Sequence, residues 1–267
     1  MPVTACPSCF YTRHWKIRRE ARKCKRCRKE FRVGSVYPVS SIRSTKNEWK
    51  KCIHVFLRQR AIAAVCEETG IPHGRIEKML TVLRICMTND VPDVFSGICE
   101  ADETFIGGQR KNKRLHIRSQ KGKRGHGTDK LPIVGVLHRD SGTVRAAIVV
   151  KRSQATVIGF IASCISGTAT LYTDGYKMNR SITTYKPSVT HEYVNHHKGE
   201  YVRGTIHTNG IEGFWGYLKR HLATIGGIRP HRFPLFLGEI TWRFNHRTQT
   251  KQEQAVLLLA LVLTYDI

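Results

Sequence analysis

Two Cys-x-x-Cys pairs, Cys6-Pro-Ser-Cys9 and Cys24-Lys-Arg-Cys27, are separated by the 14 residues from 10 to 23. This spacing lets two cysteine knuckles close on one tetrahedral ion while the intervening residues form a short hairpin. A thioredoxin-like redox motif would instead need one pair inside a βαβ unit. A disulfide framework fits poorly, because the chain has nine cysteines, an odd number, and its N-terminus, MPVTACPSCF, lacks the apolar stretch of an export signal. The expectation is one structural zinc on Cys6, Cys9, Cys24 and Cys27, in a zinc ribbon spanning residues 1–34, within a reducing cytoplasm. So small a fold has too little core to stand without its metal.

The basic residues from Arg13 to Lys29 interleave with Tyr11, Trp15 and Phe31, so the surface of the ribbon is almost wholly cationic. The imbalance extends to all 267 residues, where 45 Lys and Arg face 20 Asp and Glu for a net charge of +25. A polyanion is the natural partner, and phosphate contact follows more readily than base reading. With 40% hydrophobic residues the chain can still bury a core, so it is no disordered basic tail. Its longest apolar run, Ala255 to Leu263, is nine residues, far short of the roughly 18 that a membrane span needs. A nucleic acid is therefore the expected partner, with no membrane and a cytoplasmic location.

Residues 35–95 read as a helical segment. Trp49, Ile53, Phe56 and Leu57 recur at helical spacing, and AIAAVCEETG and IPHGRIEKMLTVLRI form two further amphipathic stretches joined at a glycine. This is a helix-turn-helix outline and equally that of a plain helical hairpin. Pro72 suits a first helical turn that would present His73, Arg75 and Lys78 outward and pack Ile76, Leu80 and Leu83 inward. Cys52, Cys66, Cys86, Cys99 and Cys164 fall on apolar faces, as buried thiols do.

From residue 97 strands take over: GICEADETFIG, LPIVGVLHRD, a turn at Asp140-Ser-Gly142, then TVRAAIVVKRS. A helix over Ala155 to Ile165, a strand TATLYTD ending at Asp174-Gly175, a strand SVTHEYVNH and a helix over Thr208 to Thr224 complete the pattern. That order predicts a ribonuclease-H-like mixed sheet flanked by helices, an α/β domain over residues 96–267, with the C-terminal helices closing its core or meeting a second copy. Its first and fourth strands would be neighbours, bringing Asp102 and Asp174 together, and the last long helix would lower Glu212 toward them.

Carboxylates are scarce here, and two-metal phosphodiester chemistry needs a cluster of them. Each acid also has a plainer reading: Asp174 as turn chemistry before Gly175, Asp102 as an exposed strand residue beside Glu100 and Glu103, and Glu212 as a solvated helix residue. Gln109 to Lys130 is a strongly basic insertion, either a solvated loop or a clamp on DNA phosphates. His196 and His197 read as phosphate contacts or local packing rather than as metal ligands. Trp215 reads as core in preference to a base-stacking platform.

Glu100-Ala-Asp-Glu-Thr-Phe-Ile-Gly-Gly108, Leu171-Tyr-Thr-Asp-Gly-Tyr176, Val194 to Gly204 and His207-Thr-Asn-Gly-Ile-Glu-Gly-Phe-Trp-Gly-Tyr-Leu-Lys-Arg220, with Trp242-Arg-Phe-Asn-His-Arg247 and the cysteine pairs, occur in order along nearly the whole chain. Together they resemble the ISXO2-like, or IS1595-family, insertion-sequence transposases. The resemblance implies a DDE transposase that uses two Mg²⁺ or Mn²⁺ ions to cut donor DNA at terminal inverted repeats. It would then join the freed 3′ ends to a target, as a homodimer or larger assembly on double-stranded DNA, associated with the nucleoid of a prokaryote. It implies catalytic roles for Asp102, Asp174, Glu212 and Lys219, with Asn209 as the alternative third metal ligand. Glu212 is chemically preferable, since a carboxylate neutralises two divalent ions better than an amide. Both the acids and the basic residue are present and the chain reads as complete, which favours an enzyme over a catalytically inactive DNA-binding descendant. A structure-specific nuclease of the same fold would cut without joining.

Overall fold

The computed structural model describes residues 6, 13–17, 21–32, 42–59, 61–107, 115, 130–149, 153–174, 182–194, 202–225 and 228–264. Cys9, nearly all of the basic stretch from Gln109 to Lys130, and His196 and His197 lie outside them. The chain divides into two compact units, one of residues 1–90 with 227–267 and one of residues 91–226.

At the front, β1 (His14–Lys16), β2 (Ala21–Cys24) and β3 (Glu30–Arg32) form an antiparallel sheet in that order. The turn after β2 is tight: Arg28 has a φ of 61°, and its amide donates to the Cys24 carbonyl at 3.1 Å. This turn brings Arg28 and Lys25 over the ring of Trp15, at 4.7 and 5.5 Å from its centroid.

Helix α1 (Lys46–Leu57) starts at a reciprocal cap, with the Glu48 amide donating to Thr45 Oγ1 and the Thr45 amide to the Glu48 carboxylate. Helix α2 (Ile62–Thr69) stops at Gly70, whose φ of 70° is the left-handed conformation that glycine adopts without a Cβ penalty. Helix α3 (His73–Asn89) follows Pro72. Ile76, Leu80 and Leu83 are buried, and His73 and Lys78 are exposed. Arg75 departs from the outward position expected for it. Its guanidinium donates to Glu48 at 2.8 Å and to the Arg43 carbonyl at 3.1 Å, so it braces α3 against the first turn of α1. Cys52 and Cys86 are enclosed, and burial pushes each thiol up to about 12, whereas Cys66 is only half-buried.

The second unit runs β4 (Ile98–Ile106), β5 (Leu131–His138), β6 (Thr143–Ile148), α4 (Gln154–Cys164), β7 (Thr170–Thr173), α5 (Ile182–Tyr185), β8 (Thr190–Tyr193) and α6 (Asn209–Ile225). Its five strands form a mixed sheet in the order β6-β5-β4-β7-β8. The first three are antiparallel, and β7 and β8 run parallel to β4. The expected adjacency of the first and fourth strands is thus present, as is the hairpin turned at Asp140–Gly142.

Side chains alternate across this sheet. Cys99, Ala101, Val134, Val136 and Leu171 point to one face, where Val157, Ile158 and Ile161 of α4 cover them. The opposite face carries Glu100, Asp102, Gly135 and Leu137. Helix α6 lies on it through Ile211, Phe214, Trp215 and Leu218, buried at the i, i+3, i+4, i+7 spacing. Two glycines permit the close approach. A Cβ at Gly135 would fall 2.7 Å from the Trp215 ring, and one at Gly210 would fall 2.9 Å from Glu100 Oε2.

The last helices, α7 (Phe233–Asn245) and α8 (Lys251–Thr264), pack with α1–α3. Trp242, Ala255, Leu258 and Val262 join Trp49, Ile53, Leu80 and Leu83 in one core. The polar members of the Trp242 to Arg247 stretch hold helix ends. Arg243, 5% exposed, donates to Glu239 at 2.9 Å and to the Phe56 and Leu57 carbonyls that end α1. Glu239 also accepts from Arg84 at 2.7 Å, and Trp242 Nε1 donates to Asp90 at 2.7 Å.

Removing one member of such a buried ion network leaves its partners uncompensated, which costs roughly 3–5 kcal/mol. Arg243→Ala should therefore lower unfolding free energy by about that amount in urea denaturation. Arg247→Ala, which removes an exposed side chain that donates to the Phe244 carbonyl and lies over the Phe244 ring just past the end of α7, should cost less, about 1–2 kcal/mol.

Candidate active site

The pairing of β4 with β7 sets the geometry of the acids. Glu100 on β4 is opposite Tyr172 on β7 in parallel register. Asp102 and Asp174 each lie two residues further on, so the two-residue period of a strand points both to the α6 face. Ala101 and Thr173, the residues between, are fully buried. Asp174 stands immediately beyond the end of β7.

Helix α6 brings the third acid. Glu212 is in its first turn, one residue from the buried Ile211, on the exposed edge of the helix. Thr208, buried at the helix start, donates from Oγ1 to Glu212 Oε1 at 3.1 Å, while its carbonyl accepts the Glu212 amide. The carboxylate is held on both its backbone and its side chain. Asn209 and Lys219 occupy exposed positions on the same helix.

The three acids share one electrostatic environment. Burial and then the charge of Asp174 push the Asp102 carboxyl up to about 7, with a further rise from Glu212. Hydrogen bonds from the Glu103 backbone and from Trp215 oppose the rise without cancelling it. A cation beside Asp102 would favour its ionised form against burial and the neighbouring charges. The donor set is all oxygen and anionic, which suits hard divalent ions.

Trp215 has a second role beside the core packing expected for it. Its Nε1 donates to Asp102 Oδ2 at 2.9 Å, fixing one carboxylate oxygen. The sequence carried a signal for this contact: a tryptophan on the buried face of a helix needs an acceptor for its N–H, and few acceptors exist on an apolar sheet.

A second donor cluster lies in the N-terminal sheet. Among the described residues, Cys6, Cys24 and Cys27 form the one group of three or more metal-ligating side chains whose ligand atoms lie within 4.8 Å of one another. The Sγ atoms of Cys6 and Cys27 are 3.5 Å apart, and the amides of Arg26 and Cys27 point at Cys24 Sγ from 3.3 and 3.5 Å. Such N–H donors favour the thiolate that metals bind. The three carboxylates are spread more widely than the three thiols.

Residues 94–245 match the model of the ISXO2-like transposase domain. The chain belongs to the ISXO2-like transposase family. Among relatives of this transposase is an uncharacterized protein in transposable element ISH50 of Halobacterium salinarum. It is 26% identical over 251 residues, covering 87% of this chain and 82% of the relative. An uncharacterized transposase-like protein of Haemophilus influenzae is 29% identical over 114 residues, 43% of this chain and 89% of the relative. Among solved structures, the catalytic core domain of BIV integrase aligns with a TM-score of 0.36 at 13% identity, over 61% of this chain and 95% of that one. No helix among the described residues of the transposase is long and apolar enough to cross a membrane.

A carboxyl whose pKa is higher folded than unfolded opposes folding increasingly as pH rises through the interval between the two values. Asp102→Asn removes that opposition. The variant's Tm, measured without added metal, should exceed that of the parent by a few degrees at about pH 8, with the gap shrinking toward about pH 5. A gap independent of pH would contradict the raised value.

Proposed function

We propose that this transposase is an active DDE enzyme with a ribonuclease-H-like catalytic unit, which binds the element's terminal inverted repeats, cleaves them and joins the freed 3′ ends to target DNA. The reading rests above all on one observation, the parallel register of β4 and β7 that sets Asp102 and Asp174 side by side under the helix that carries Glu212 and whose Trp215 bonds Asp102. Family membership and the strand order support it.

In this reading Asp102, Asp174 and Glu212 hold two Mg²⁺ or Mn²⁺ ions, which when bound lower the pKa of a water and stabilise charge on the phosphate under attack. The chain's own residues do the rest. Trp215 and Thr208 each hold one oxygen of Asp102 and Glu212 and so orient the two carboxylates. Lys219, two turns beyond Glu212 and about 10.5 Å along the axis, meets the DNA backbone. Asn209, one turn from Glu212, contacts the same strand near the cut. Hydrolysis forms a bond between water oxygen and phosphorus and breaks the one to the 3′ oxygen; that freed hydroxyl then attacks a target phosphodiester in the same way.

The same reading assigns one zinc to Cys6, Cys24 and Cys27, with Cys9 as the fourth ligand. The 3.5 Å between Cys6 and Cys27 sulfurs is near the sulfur–sulfur edge of about 3.8 Å in a tetrahedral site with Zn–S of about 2.3 Å. Residues 1–34, with Lys25 and Arg28 gathered on Trp15, serve as a phosphate-binding ribbon. Residues 35–95 supply a helix-turn-helix contact through His73 and Lys78, and within the expected 96–267 domain the sheet unit, which ends at residue 226, is the catalytic part while the last two helices belong with α1–α3. The assembly on DNA is a homodimer or larger.

The test is cleavage and joining of the element's own terminal DNA. Glu212→Gln should abolish both steps while DNA binding survives, as should Asp102→Asn and Asp174→Asn, and Asn209→Ala should cause only a partial loss. Near-normal activity in Glu212→Gln with a dead Asn209→Ala would transfer the third ligand to the amide. Zinc is checked separately by elemental analysis: one equivalent per chain is expected, lost in Cys6→Ser/Cys24→Ser. A purified parent chain without stoichiometric zinc would remove that assignment.

A further inference from the structure

Beneath the three acids lies a second layer of contacts, and it converges on one side chain. Arg139 follows β5 and is 17% exposed. Its Nε donates to Glu100 Oε1 at 2.7 Å, its Nη1 to the Thr205 carbonyl at 2.7 Å and its Nη2 to the His207 carbonyl at 2.8 Å. Nη2 also lies 2.9 Å from His207 Nδ1. The guanidinium plane stacks over Tyr172, 4.6 Å from the ring centroid. Glu100, 1% exposed, uses its other oxygen to accept the amide of Ile211 at 2.9 Å.

The position of each tie is informative. Glu100 is two residues before Asp102 on one strand, Tyr172 two before Asp174 on the next, and Ile211 one before Glu212 on the helix. Glu100 is itself an acid on the face that carries Asp102, yet both its oxygens are occupied, so it is no ligand for an ion above it. It also answers an unsatisfied amide in the first turn of α6, where negative charge is favoured. Gly210 leaves room for that carboxylate, since a Cβ there would fall 2.9 Å from Oε2.

We propose that Arg139, acting through Glu100, is the positioning residue that sets the spacing of Asp102, Asp174 and Glu212. This rests on the reading that those three hold the divalent ions. One rigid planar fork joins all three elements, so its loss lets α6 shift on the sheet and β7 shift against β4. The expected result is a weaker metal site in an otherwise folded chain. Outer-layer partners of metal ligands typically contribute about 10- to 100-fold to metal affinity.

The experiment is Mn²⁺ titration by calorimetry on the full chain, since Mn²⁺ favours carboxylate over thiolate donors. Arg139→Ala should bind Mn²⁺ at least about tenfold more weakly while still binding DNA, and added guanidinium should restore part of the affinity. Should Arg139→Ala fail to fold, Glu100→Gln keeps the volume but turns one acceptor into a donor, and the same weakening is expected from it. Unchanged Mn²⁺ affinity in a folded variant of either residue overturns the positioning role. Asp102→Asn separates the two readings. If it loses Mn²⁺ binding while the Arg139 and Glu100 variants keep it, positioning alone fails. If it keeps Mn²⁺ binding, the carboxylate site fails and the positioning role with it.

Discussion

The candidate site depends on how closely α6 can lie against the strands that carry the aspartates. A helix on a sheet usually stands off by the thickness of two side-chain layers, which would leave Glu212 remote from Asp102. Here Gly135 and Gly210 remove one layer at two points. The Trp215 ring drops onto β5, and the start of the helix drops onto Glu100. The approach also buries polar groups, and each finds a partner: the Ile211 amide meets Glu100, and the Trp215 indole meets Asp102. An apolar helix–sheet contact without these bonds would leave the same groups unsatisfied and costly.

Charge is distributed on two scales. The chain as a whole carries +25 and attracts phosphate from a distance, yet on the sheet face beneath α6 burial, and then the charge of Asp174, lifts Asp102 to about 7. Long-range attraction and local repulsion oppose each other at that point. In the proposed function divalent cations would reconcile them, by letting DNA phosphates approach an anionic site. Arg139 does not take that part, since its guanidinium serves the layer beneath the acids, on Glu100 and the Thr205 and His207 carbonyls.

Much of the sheet was legible in the sequence because strand pairing follows from local rules. The Asp140–Gly142 turn fixes a hairpin, and apolar alternation fixes which residues face α4. Asp102 within the first strand of the sheet, Asp174 just past the fourth and Glu212 in the first turn of a helix stood out as rare acids, and the fold brings Asp102 within reach of the charge of the other two. The contacts that hold them were not legible. Arg139 reaches Glu100, Tyr172 and the 205–207 segment across long sequence separations, and in a chain with 45 basic residues nothing marks one arginine as buried. Arg75 shows the converse: helical spacing pointed it outward, but its length lets it reach back to Glu48. Trp215 was read by its bulk, which settled its burial but not the destination of its N–H.

The helical unit is discontinuous, built from residues 1–90 and 227–267 with the whole sheet unit inserted between them. This has a consequence for the order of synthesis. During translation, α1–α3 emerge early but lack Trp242, Leu258 and Val262, which complete their core. The sheet unit, all of whose residues are contiguous, can finish folding while the helices before it still wait. The helical unit closes last, once the ribosome has passed the final helices, and a chain stopped after residue 226 has a complete sheet and an unfinished helical core.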